Sequence, residues 1–116
     1  MRLLALALAA SVLALSAAPA QARFRSCKSA DLRYPFQPGG PKTFGVFRLK
    51  IERGTCTTAH RVAKKWKNRF EVKFKLPHKV ERFAFTQLEP NAAQTFRLRG
   101  RRGSTALRFN YVVPNG

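Results

Sequence analysis

Cys27 and Cys56 are the only cysteines in the chain, and their chemistry is set by the compartment the chain reaches. Arg2 is followed by an uncharged apolar run from Leu3 to Leu15, short for a membrane span and ending in small residues, which is the pattern of a signal peptide over residues 1–22. Ala18-Pro19-Ala20-Gln21-Ala22 offers small-x-small cleavage sites after Ala20 and after Ala22. The second keeps Pro19 clear of the scissile bond and would start the mature chain near Arg23. No later stretch is apolar enough to cross a bilayer, so the expectation is a protein outside the cytoplasm, secreted or associated with the envelope. There an isolated cysteine pair oxidises. A Cys27–Cys56 disulfide closes a loop of about 30 residues, for which the chain-entropy model gives about 3.5 kcal/mol. A redox or metal site would need closely spaced thiols or nearby His ligands, and Cys27 has neither.

Such a staple matters because the remaining chain is small and strongly charged. Of 23 Lys and Arg, one precedes residue 23, so 22 basic residues stand against 5 acidic ones in the rest. That size allows one globular domain, excludes a multidomain enzyme and argues against a large cofactor cleft. A chain of this length hides only about 60–65% of the surface its unfolded form exposes.

Residues 23–43 carry Pro35, Pro38, Gly39, Gly40 and Pro41 and read as a loop-rich segment tethered by the disulfide. An α+β domain is expected over 44–116. Phe44 to Glu52 alternates, with Phe47, Leu49 and Ile51 on one side and Arg48, Lys50 and Glu52 on the other, as in a half-buried strand. After Gly54 the period becomes helical. Ala59, Val62, Ala63, Trp66 and Phe70 fall within an arc of about 120° at 100° per residue, so Trp66 belongs to the core. Thr55 or Thr57 caps the start, and Asn68 is the predicted left-handed stop. Alternation then returns over Phe70, Val72, Phe74 and Leu76, predicting a strand closed by Pro77-His78-Lys79. Further strands are expected at Glu81–Leu88, at Thr95–Arg99, and at 107–113 beyond a Gly100-Arg101-Arg102-Gly103 turn. One amphipathic helix on an antiparallel sheet of about five strands is the predicted fold.

Gly54-Thr55-Cys56, Thr58-Ala59, Val62-Ala63 and Trp66 together resemble a group of small exported bacterial proteins, mainly actinobacterial and functionally uncharacterised. These share a Gly-x-Cys-x-x-Ala-x-x-Val-Ala-x-x-Trp helix. The likeness extends to the signal peptide, a Cys near the mature start and the basic Gly-Arg-Arg-Gly turn. Relatives often carry a second cysteine pair in the late strands, where Phe85 and Leu98 stand here. The resemblance implies a fold and no activity.

Titratable groups suited to catalysis are few: Asp31, Glu52, Glu71, Glu81, Glu89, His60 and His78. They form no metal-ligand or nucleophile spacing, and neither a cofactor, a metal nor a catalytic residue is assigned. An exported ribonuclease-like hydrolase would have to use Glu81 as base, His78 as acid and Arg97 for the phosphate. Binding is better supported. Arg61, Lys64, Lys65 and Lys67 share the outer face of the helix. Lys73, Lys75, Arg97, Arg99, Arg101, Arg102 and Arg108 alternate along strands or sit at a turn. The expected function is a secreted, non-enzymatic basic module attaching electrostatically to an anionic envelope polymer, lipid surface or extracellular polymer. Nucleic acid would be bound only non-specifically. Arg61, Lys64, Lys65, Lys67, Arg101 and Arg102 are the expected polyanion-binding residues. Solubility alone would also account for the charge. A third possibility is a protein-binding inhibitor module that presents Tyr34 and Phe36 on the Pro-rich loop, residues which more often tuck under such a loop.

Overall fold

Alternation of apolar and charged residues is strictest in the C-terminal third, and the centre of the sheet is built there. The computed structural model describes residues 23–89 and 93–114; the expected signal peptide lies outside them. Strands β6 (Thr95–Arg102) and β7 (Thr105–Val112) form a hairpin in which Arg102 pairs with Thr105 across a Gly103-Ser104 turn. The turn therefore falls later than the predicted Gly100–Gly103. Gly100 is instead a strand residue, and a Cβ there would lie 2.7 Å from the Phe85 ring. Strand β3 (Phe44–Glu52) pairs with the other edge of β7. Outside it lie β1 (Phe24–Ser26) and β2 (Arg33–Tyr34), while β5 (Phe83–Gln87) and β4 (Lys79–Val80) follow β6. The order is β1-β3-β7-β6-β5-β4, antiparallel throughout, with β2 also on β3.

Among the described residues the sheet thus has seven strands and not about five. Two of the additional pieces come from segment 23–43, whose prolines are confined to the stretch between β2 and β3. Gly45 lets this segment close in: it has φ 104°, and a Cβ would lie 2.2 Å from the Leu32 carbonyl oxygen. The Cys27–Cys56 disulfide, with Cα atoms 5.3 Å apart, ties the same segment to the first residue of the helix.

Helix α1 (Cys56–Lys73) is one turn and a half longer than its predicted stop at Asn68. Thr55 is the cap, its hydroxyl accepting the Thr58 N–H at 3.2 Å. The expected strand over 70–76 does not form, because side chains four apart hold this stretch in the helix. Phe70 stacks on Trp66 with ring centres 5.5 Å apart, and Lys67 reaches Glu71 at 3.0 Å. The helix ends at Phe74, which takes the left-handed conformation at φ 55° and donates its N–H to the Phe70 carbonyl. Ala59, Val62, Ala63 and Trp66 are buried against the sheet with Val46, Leu49, Ile51, Leu107, Phe109 and Tyr111. Phe85 and Leu98, on neighbouring strands, join the same core.

Strand β3 departs from strict alternation. Phe47 pairs with Asn110 and Lys50 with Arg108, so three steps on β3 match two on β7. The extra residue is a β-bulge in which Arg48 takes φ 55°. Inward positions before and after it are Val46, Leu49 and Ile51. Phe47, expected inward, is turned to the open face, where the Arg33 guanidinium lies 4.2 Å from its ring centre.

A candidate anion-binding face

The helix covers one face of the sheet, and the register decides what the other presents. Residues directly opposed on neighbouring antiparallel strands share a face. One row across β3, β7, β6 and β5 therefore reads Lys50, Arg108, Arg99, Thr86. A second reads Phe47, Asn110, Arg97, and Arg101 stands opposite Ala106 in a third. Three cations thus lie abreast on three adjacent strands. Counting back from the hairpin's closing pair makes Arg99–Arg108 a non-hydrogen-bonded pair, the class with Cα atoms about 4.5 Å apart and side chains closest. Like charges so placed repel, at a cost of about 0.2–1 kcal/mol. The Nε atoms of both arginines are buried and have no hydrogen-bond partner among the described residues. The Arg108 guanidinium lies 5.0 Å from the Phe24 ring centre, and Lys50 Nζ 5.8 Å from the same ring.

Where the bulge interrupts β3, the face sinks into a pocket of about 210 Å³. Arg48 and Lys50 from β3, Arg108 and Asn110 from β7, and Arg97 from β6 border it together with Leu88. Four of these six side chains are cationic and none is a carboxylate. The nearest acidic residue on the same face, Glu52, belongs to the next row and meets Arg23 at 3.8 Å.

The residues expected to bind polyanions do not form one surface. Arg61 Nε lies 3.1 Å from Glu81, and Lys65 holds the other oxygen of the same carboxylate. These two bonds, Lys65 first, hold the Glu81 carboxyl below its usual range. Arg102 folds onto the same turn, its guanidinium 4.4 Å from the Phe83 ring centre and 3.3 Å from the Glu81 carbonyl. Lys67 is engaged with Glu71, which also accepts the Tyr111 hydroxyl at 2.6 Å. Burial pushes the Tyr111 phenol far up, and the Glu71 bond adds to this. Lys64 is exposed on the side of Asp31, whose carboxyl is lowered by its 2.6 Å hydrogen bond to His60. Arg101 is exposed on the opposite face of the sheet. The helix cations are thus largely engaged by carboxylates, whereas Lys50, Arg99 and Arg108 are not. Sequence periodicity placed Arg97, Arg99 and Arg108 on strands and Arg101 in a turn; the register that sets Arg97 and Arg108 beside Arg48 and Lys50 carries no local signal.

The groups required by a hydrolase do not converge. Glu81 is bound to helix residues on one side of the sheet, Arg97 borders the pocket on the other, and His78 is exposed between Pro77 and Lys79. Among the described residues no group of three His, Cys, Asp or Glu could hold a metal ion, and no helix is long and apolar enough to cross a membrane. The two candidate anchor residues also differ. Tyr34 is half-buried against Phe44 with Lys67 5.8 Å from its ring centre, while Phe36 is 75% exposed. Comparison with protein families, with characterised proteins and with solved structures finds no match for this chain.

Proposed function

We propose that this protein is an exported, non-enzymatic basic module that attaches to an anionic polymer outside the cell, and that it does so through the open face of the sheet. The observation that carries the reading is the row Lys50, Arg108, Arg99, uncompensated by any carboxylate in its row and bordered by a basic pocket. Paired strands fix the backbone positions of the row, so little backbone ordering opposes binding. Phe24 and Phe47 on this face already carry Lys50, Arg108 and Arg33 against their rings, which leaves attraction to a charged backbone and not base stacking as the mode of attachment. The signal-peptide pattern and the disulfide support a site of action outside the cytoplasm.

The test is retention of the protein on wall polymer, anionic vesicles and DNA across a salt series. Retention should fall steeply with salt, with a logarithmic slope on DNA of about −0.9 per phosphate engaged. Reversing Lys50 and Arg99 to Glu should weaken retention more than reversing Arg61, Lys64 and Lys65. The opposite ranking would move the site to the helix, and retention indifferent to salt would remove the reading.

A further inference from the structure

We infer that the bulge in β3 builds a discrete seat for a phosphate group, formed by Arg48, Lys50, Arg97 and Arg108 with Asn110. The inference rests on the polyanion reading and assigns it a ligand class. Three features converge on it. The first is the donor set: four cationic side chains and one amide, drawn from three strands, border one pocket of about 210 Å³ with no carboxylate among them. Donors arriving from three strands suit an anion whose oxygens point in several directions. Tetrahedral phosphate has that shape and a planar carboxylate does not, and arginine's fork meets phosphate oxygens in pairs.

The second feature is the backbone that delivers Arg48. Position 48 takes φ 55°, a conformation glycine adopts freely and a residue with a Cβ adopts at a cost, yet the residue here is the longest cation available. Bulges redirect side chains, and this one brings two consecutive outward cations, Arg48 and Lys50, to the rim of one pocket. At Arg48 the strain falls where the side chain reaches the rim of the pocket, which ties this outlier to the site. The third feature is Arg108, which lines the pocket and whose Nε has no hydrogen-bond partner among the described residues. An oxyanion in the seat would give the Arg108 guanidinium a charged partner.

The decisive variant is Arg48→Gly, because it removes a cation while relieving the backbone, so that loss of binding cannot be blamed on loss of fold. Inorganic phosphate is titrated into the purified disulfide-bonded protein, following the Arg Nε–H resonances by NMR, with acetate as the planar carboxylate comparator. The expected result is saturable binding that shifts the Arg108 signal, a roughly tenfold weaker phosphate affinity in Arg48→Gly, and a melting midpoint about 4 °C higher in that variant without phosphate. Asn110→Asp, which puts a carboxylate into the pocket at almost unchanged size, should abolish binding. Undiminished phosphate affinity in Arg48→Gly, or acetate binding as tightly as phosphate, would overturn the seat. If wild type and Arg48→Gly bind inorganic phosphate equally and are retained alike on the polymers, the seat falls while the polyanion reading stands; if wild type is retained on none of the polymers, the polyanion reading itself falls. Competition by inorganic phosphate against a glycerol-phosphate polymer separates the sources. Displacement places the polymer's phosphodiester in the seat, non-displacement leaves it to free phosphate, and either result upholds the phosphate chemistry.

Discussion

Several side chains occupy backbone conformations that would suit glycine, and each marks a place where an element changes direction. Glu81 and Arg82, at φ 48° and 66°, form the two-residue turn between Val80 and Phe83. Turns with both central residues left-handed normally carry Asn-Gly, so neither residue signalled a hairpin. Glu81 offsets its strain by holding Arg61 and Lys65, but Arg82 is exposed. Arg82→Gly should therefore raise stability by about 1 kcal/mol, read as a shift in the denaturation midpoint at unchanged slope. The aromatics of the Pro-rich loop separate in the same way. Tyr34→Ala removes a half-buried ring packed on Phe44 and should cost about 2 kcal/mol, whereas Phe36→Ala should stay within about 0.5 kcal/mol.

Between neighbouring elements, the stretch 70–76 shows why the period of two misled. Phe70, Val72, Phe74 and Leu76 alternate as cleanly as any strand in the chain, yet tertiary packing overrides the pattern. Phe70 lies four residues after Trp66 and stacks on it, while Tyr111 from β7 donates to Glu71 on the next turn. The spacing Trp66–Phe70 and Lys67–Glu71 was the available signal for a continuing helix. The two structures make opposite demands on one pair of positions. A strand would set Phe70 and Val72 on the same face; the helix buries part of Phe70 and leaves Val72 77% exposed. Phe70→Ala should cost about 2 kcal/mol and Val72→Ala essentially nothing, alanine being the better helix former. Equal losses at both would contradict the helix. The second half of β3, β7 and the inner face of α1 were legible because each buries one side only. The bulge was not, since Arg48 stands where glycine would have announced it.

For the molecule as a whole, charge is the dominant imbalance, and its few carboxylates serve as internal clamps. Asp31, Glu52, Glu71 and Glu81 each meet a basic side chain, and two of them join other elements to α1. Asp31 and Glu81 have folded-state pKa values below their usual ones of 3.8 and 4.5, so their contribution is complete only well above those usual values and is lost as the pH falls through the lowered ones. The melting midpoint should decline on acidification in that range, and Glu81→Gln should make the decline shallower.

With a net charge of +18 for the full chain, the folded protein also gains from any anion that gathers at its surface. Sodium chloride and sodium phosphate at equal ionic strength screen alike over a Debye length of about 10 Å at 0.1 M, so screening alone would raise the melting midpoint equally in both. A ligand bound only by the folded state adds RT ln(1 + [L]/Kd), about 2.3 kcal/mol at fifty times Kd. Phosphate should therefore raise the midpoint beyond chloride by several degrees in the wild type. Arg48→Gly should keep the chloride increment, which depends on total charge, and lose most of the excess due to phosphate, which depends on the geometry of one bulge.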